Sequence, residues 1–161
     1  MFFVFTYGTL MNRRSNHAYL AKERFVGNAT LKGYKMFDYI NSTTLSSMFP
    51  VIFKSNNEDD VVYGEVYQCQ DDMLRYLDHL ESEGSLYKRT NVVVDVDNGH
   101  RYSVYVYVGI TSTWKDTAGN TLFEFPYENE KWASTYYPAV EKELLQKILE
   151  NDTNLDGYRT E

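Results

Sequence analysis

Along most of this chain the apolar residues come in short runs rich in rings and β-branched side chains, each ended by glycine or a polar cluster, which is the pattern of strands. Phe2 to Thr6 is the first run, and Gly8 breaks it into a turn. Residues 25–36 carry Phe25, Ala29 and Leu31 among polar positions, with Gly27 and Gly33 as bulge or turn points. They predict a twisted strand that residues 37–40 extend. A Ser/Thr-rich loop at 41–47 leads to a strand at 49–53, where Pro50 marks a sheet edge or strand start because it has no N–H for a ladder. After a polar turn at 56–60, residues 61–68 alternate, with Val62, Gly64, Val66 and Gln68 on one side and Val61, Tyr63, Glu65 and Tyr67 on the other.

Runs at 92–96 and 102–108 flank Asn98-Gly99, the dipeptide favoured where both central positions of a type I′ turn need positive φ, and so predict an antiparallel hairpin. In its second strand Tyr102, Val104, Val106 and Val108 share one face while Ser103, Tyr105 and Tyr107 share the other. Both faces are apolar enough to be covered, which favours a closed or strongly curled sheet.

Helical spacing is rarer. Asp71 or Asp72 caps a helix in which Met73, Tyr76, Leu77 and Leu80 recur at i, i+3, i+4, i+7. Pro138 opens another, with Val140, Leu144, Leu145 and Ile148 as its buried stripe. Residues 12–22 predict a short helix capped by Ser15 or Asn16, and residues 111–137 an elaborated surface loop.

At 161 residues, against about 100–200 per domain, the chain reads as one domain over 1–150 followed by a polar tail, 151–161. With 43% hydrophobic and 16% aromatic residues it is too apolar to be disordered. A net charge of -7 offers no basic field for nucleic acid or anionic lipid. The single Cys69 has no partner for a disulfide or zinc site and reads as a buried structural thiol, and His17, His79 and His100 lack metal-ligand spacing. No metal and no cofactor is expected. The start, MFFVFTYGTL, has neither the basic flank nor the cleavage site of a signal peptide, and no run approaches the roughly 20 apolar residues of a membrane span. A cytoplasmic protein without a membrane partner is expected.

Two places carry candidate chemistry. Glu81 lies four positions after Leu77 and eight after Met73, so it continues the apolar stripe and turns a carboxylate toward the core. Burial disfavours the charged form and raises the pKa, which makes a Glu able to accept and return a proton near neutrality. The spacing equally allows a helix-end residue paired with Lys88 or Arg89. Glu83, beside Gly84, is the fallback carboxylate, and Asp78 reads as an exposed partner on the helix flank. The second place is Tyr7-Gly8-Thr9-Leu10, where a glycine after a strand lets the backbone approach a ligand and aim successive N–H groups at an anion or oxyanion. A plain strand-ending turn also fits. The fifteen tyrosines are expected mainly in a packed sheet, rings buried and hydroxyls partnered.

These signals fall in one order: YGTL at 7–10, Asn16-His17 and Leu20, Phe49-Pro50, Gly64-Glu65-Val66-Tyr67, then Leu77-Asp78 followed by Glu81 and Leu86-Tyr87-Lys88-Arg89-Thr90. In that order the chain resembles the gamma-glutamylcyclotransferase-like family, and within it the gamma-glutamylamine cyclotransferases. The resemblance implies an α+β fold, a small mixed β-barrel with helices packed outside. It implies a small γ-glutamyl substrate held by Tyr7, Gly8, Thr9 and Leu10, with Glu81 as catalytic acid/base. The implied reaction closes the γ-glutamyl group to 5-oxoproline and releases an amine without a cofactor. Two other readings stay open: a non-catalytic binder of a small ligand on the same fold, and an acyl-transfer enzyme acting on a γ-glutamyl group of a larger molecule. Met11-Asn12-Arg13 departs from the Lys-Arg-Gly often found after the family's loop, and 111–137 aligns with nothing there, so substrate identity is left open.

Overall fold

The computed structural model describes residues 1–41, 46–114, 120–125, 130–133 and 155–161. Their strands are β1 (Phe2–Thr6), β2 (Arg24–Lys32), β3 (Tyr34–Asn41), β4 (Ser47–Lys54), β5 (Val61–Cys69), β6 (Tyr87–Val96), β7 (Arg101–Gly109) and β8 (Asn120–Glu124). The α-helices among them are α1 (Met73–Leu80) and the single turn α2 (Thr111–Trp114). The run expected as one strand over 25–40 is two, because Gly33 takes a φ of 81° that folds the chain back between β2 and β3. The bulge expected at Gly27 is present, as a register shift between Phe25 and Gly27 against β5.

Five strands close into a barrel in the order β1-β5-β2-β6-β7. Its pairs are antiparallel except β1 with β7, which run parallel through Val4 and Tyr105, so this is the mixed barrel that the resemblance implied. The remaining strands form a separate sheet, β4-β3-β8, in which Pro50 lies on the edge strand opposite Asp38.

Closure explains why β7 is apolar on both faces. Val104, Val106 and Val108 enter the barrel with Phe5, Leu31, Val62 and Val66. Tyr107 belongs to a second core outside it with Val4, Phe53, Tyr67 and Leu77, the last supplied by α1. Each fully buried Val or Leu is worth about 1.5–3 kcal/mol, so a strand serving both cores is held from two sides.

Several expectations are corrected. The 96–100 hairpin is not type I′: of Asn98 and Gly99 only Gly99 has positive φ, at 87°. The Gly99 N–H donates to Val96 O and the Val96 N–H to His100 O, a tight turn followed by a glycine bulge. The helix expected at 12–22 shrinks to one 3-10 turn, His17–Tyr19, without a side-chain cap. Tyr76 leaves the α1 stripe and is 51% exposed, while Met73, Leu77 and Leu80 pack inward. Asp78 is not an exposed flank residue but is half-buried in an ion pair with Arg89. Part of the 111–137 loop is ordered structure, α2 and β8, and the helix expected from Pro138 to Ile148 lies outside the described residues.

Two segments close over the barrel and its neighbour sheet. Trp132 is buried in the barrel core, its carbonyl accepts from Arg14 Nε at 2.8 Å, and Lys131 Nζ pairs with the buried Glu65 at 2.8 Å. Glu65 also accepts the Asn12 N–H at 2.8 Å, which fixes the start of the loop after β1. In the 151–161 tail, Leu155 is buried, Tyr158 meets Phe37 edge-on and Arg159 bridges Lys54. Cys69 is fully buried, and burial pushes its thiol up to about 12, as befits an inert structural position. No described helix is long and apolar enough to cross a membrane.

Candidate active site

A cavity of about 170 Å³ opens where β1 leaves the barrel. Tyr7, Gly8, Thr9, Leu10 and Glu81 all line it, so the loop and the carboxylate singled out separately in the sequence share one wall. Asn16, Tyr87, Tyr107, Phe49, Pro50, Leu80 and Leu86 complete much of the remainder. Glu83 does not line it and is exposed.

Glu81 is placed by the way α1 ends. It is the C-cap residue, and its N–H closes the last turn on Leu77 O at 2.9 Å. Beyond it Ser82 takes a left-handed φ of 49°, the Ser82 N–H donates to His79 O and the Glu83 N–H to Asp78 O. This is a Schellman stop with serine where glycine is usual, and it reverses the chain toward β6 directly after the carboxylate. Lys88 and Arg89, the partners weighed for Glu81, are engaged elsewhere, with Glu161 and Asp78 respectively. The Glu81 carboxylate has no hydrogen-bond or ion-pair partner among the described residues. Desolvation therefore acts unopposed and raises its pKa to about 7.

The tyrosines stay protonated. Burial, followed by the nearby Glu81 charge, holds the Tyr7 phenol well above its usual range; burial, then Tyr7 and Glu81, does the same for Tyr87. Tyr107 is raised by burial and by its bond to Asp78. Their hydroxyls are committed donors: Tyr7 to Tyr107 O at 2.6 Å, Tyr87 to Pro50 O at 3.1 Å, and Tyr107 to Asp78 Oδ1 at 2.7 Å. Among the described lining residues Glu81 is thus the group poised to exchange a proton near neutrality, and no Lys, Arg or His of the described residues lines the cavity with it.

The described lining residues offer a negative group neutral donors and no cation. Within the loop, Gly8 O accepts from the Met11 N–H and Thr9 O from the Asn16 N–H, at 3.1 and 2.7 Å. In a planar trans peptide the C=O and N–H point opposite ways, so these bonds aim the Thr9 and Leu10 N–H groups away from the loop's own contacts. Gly8 does not have positive φ; its missing Cβ matters because one there would lie 2.9 Å from Pro50 Cγ. Close packing against β4, rather than a left-handed turn, is what requires glycine.

The sequence assigned Asn16, Tyr87 and Tyr107 no part in the site. The first two lay within the motifs that carried the resemblance, whereas Tyr107 looked like one sheet tyrosine among many, and only barrel closure brings it beside Tyr7. Among the described residues no cluster of His, Cys, Asp and Glu has the arrangement to hold a metal ion.

Known proteins are similar to this chain in sequence and in fold. The family model described as "Gamma-glutamyl cyclotransferase, AIG2-like" matches residues 4–134, running into the stretch that had seemed without counterpart. The gamma-glutamylaminecyclotransferase A of Danio rerio is 30% identical over 116 residues, 69% of this chain and 70% of that protein. The gamma-glutamylaminecyclotransferase of Bos taurus is 31% identical over 113 residues, 69% of this chain and 66% of its own. Among solved structures, an AIG2-like protein from Mus musculus superposes with a TM-score of 0.56 at 27% identity, covering 69% of this chain and 78% of that one. Because that family model matches most of the chain, residues 4–134, the protein belongs to the gamma-glutamyl cyclotransferase, AIG2-like family.

Proposed function

We propose that this protein is a cyclotransferase of the gamma-glutamylamine type, converting a small γ-glutamyl amine to 5-oxoproline and the free amine. The observation that carries the reading is Glu81: a desolvated carboxyl without a partner among the described residues, on the wall of the cavity that the Tyr7–Leu10 loop also lines. The α-amine of the substrate attacks its own γ-carbonyl carbon. Glu81, as carboxylate, takes the proton from the attacking nitrogen and returns it to the departing one as the original C–N bond breaks. Such proton transfer is worth roughly 10²–10⁴-fold, and holding the chain in its ring-like pose about 7–11 kcal/mol. The Thr9 and Leu10 N–H groups meet the substrate's negative oxygens, in keeping with a lining that has no cationic side chain among the described residues. The nucleophile belongs to the substrate, so the reaction as written needs no cofactor.

The test is to incubate the purified protein with a panel of γ-glutamyl amines, dipeptides and isopeptides and follow 5-oxoproline by mass spectrometry. Release from at least one small γ-glutamyl amine is expected. Binding without release would identify a non-catalytic binder, and release only from γ-glutamyl groups on proteins would move the substrate to a larger molecule.

A further inference from the structure

Asn16 makes two bonds to one residue. Its backbone N–H donates to Thr9 O at 2.7 Å, and its side-chain Nδ2 donates to Thr9 Oγ1 at 2.9 Å. Both residues line the cavity. A hydroxyl that accepts from an amide still carries its own proton, and the accepted bond restricts where that proton can turn. The backbone bond has a parallel effect, since fixing the carbonyl of the 9–10 peptide fixes the opposite N–H, that of Leu10. The neighbouring His17 secures the next peptide, its Nδ1 lying 2.9 Å from Leu10 O, a contact in which the ring nitrogen must be the donor. Asn16 stands at the N-cap of the 3-10 turn, as its position predicted, but its side chain makes no capping bond there.

We propose that Asn16 is a positioning residue that polarises Thr9, making the Thr9 hydroxyl a hydrogen-bond donor to the carboxylate end of the ligand. This rests on the cyclotransferase reading for the identity of that ligand. Asn16 sets a direction of donation, and Thr9 Oγ1 touches the ligand. Among described lining residues that include no cationic side chain, a directed hydroxyl adds one more neutral donor for an anion.

Asn16→Asp tests the direction of the bond. The aspartate keeps the shape and the backbone N–H but can only accept, so the Thr9 proton turns toward residue 16 and away from the ligand. Its added charge also repels an anion, so the effect is measured again in Thr9→Val, where no hydroxyl remains to be turned. The measurements are KM and kcat for a turned-over γ-glutamyl amine and, independently of turnover, Kd for 5-oxoproline, with melting temperature as the folding control.

Each single change is expected to raise KM and Kd by roughly 10-fold or more, the scale of losing one hydrogen bond to a charged group, with kcat less affected. The double variant should be clearly less impaired than the product of the two effects, and Thr9→Ser should recover most of the affinity lost in Thr9→Val. Strictly multiplicative effects would overturn the proposal by reducing Asn16→Asp to charge repulsion alone, and so would unchanged Kd in both single variants. If the wild type binds 5-oxoproline but releases none from any substrate, the cyclotransferase reading fails while the Kd cycle still decides the role of Asn16. If it neither binds nor releases 5-oxoproline, both fail.

Discussion

Glu81→Gln is expected to lose turnover by roughly 10²–10⁴-fold and, at pH 8, to melt at a higher temperature than the wild type. Glutamine keeps the shape of the side chain but cannot shuttle a proton. The gain in stability follows from the raised pKa of about 7, against an ordinary 4.5. Between these values the folded protein binds a proton that the unfolded chain does not, so rising pH costs stability through that window, and above it the full cost is present. A shift of this size at a site open to its cavity corresponds to about 1–3 kcal/mol, or several degrees in Tm for a chain of this length. The difference between the two proteins should shrink on going from pH 8 to pH 5 and vanish below about pH 4.5. Thermal melts at several pH values, with 5-oxoproline assays on the same preparations, check both effects. Glu83→Gln, exposed and outside the cavity, should behave as wild type; if it were the inactive variant instead, the carboxylate would have been misplaced by two residues.

Gly8→Val should cost both stability and turnover. A Cβ at Gly8 would stand 2.9 Å from Pro50 Cγ and 3.1 Å from Pro50 Cδ. The proline ring cannot swing aside as a long side chain would, because it is closed on the backbone of β4, where Pro50 is in register with Asp38. The loop or the strand must therefore move, at roughly 1–3 kcal/mol for overpacking. Either displacement reaches the site. Moving the loop misaligns the Thr9 and Leu10 N–H groups, and moving Pro50 disturbs the carbonyl that accepts from the Tyr87 hydroxyl. Turnover should fall by about 10²-fold or more, the scale associated with a misplacement near 1 Å. Melting temperature, kcat/KM and 5-oxoproline affinity on one preparation separate the two costs. A folded variant with affinity and turnover unchanged would show that this loop does not form the site.

The parts of this molecule legible in its sequence are those whose signal is local. The period of Met73, Leu77 and Leu80 located α1, and the carboxylate that continues their stripe is the one that lines the cavity. Two apolar faces on β7 announced a curled sheet, because a strand between two cores needs side chains for both. What escaped is decided between distant segments. Asp78 looked like a wet flank residue, yet Arg89 and Tyr107, from β6 and β7, draw it inward. β8 lies in a polar stretch, and its pairing with β3 makes it a strand. Asn16 looked like a cap, but its side chain is spent on Thr9 instead. At Asn98-Gly99 the position of the hairpin was right and its turn type was not, since one positive φ suffices when the turn closes through a glycine bulge.

The pH dependence of kcat/KM for 5-oxoproline release by the wild-type protein tests the central claim most directly, because it asks which group gives and takes the proton. Glu81 must be ionised to accept a proton from the attacking amine, so kcat/KM should rise with pH through a midpoint near 7, losing about tenfold for each unit below it. Glu81→Gln should lose that limb and keep only the slope set by the substrate's own α-ammonium, which titrates alike with both proteins. A wild-type profile that stays parallel to that of Glu81→Gln down to pH 5 would contradict the assignment of the proton transfer to this carboxylate.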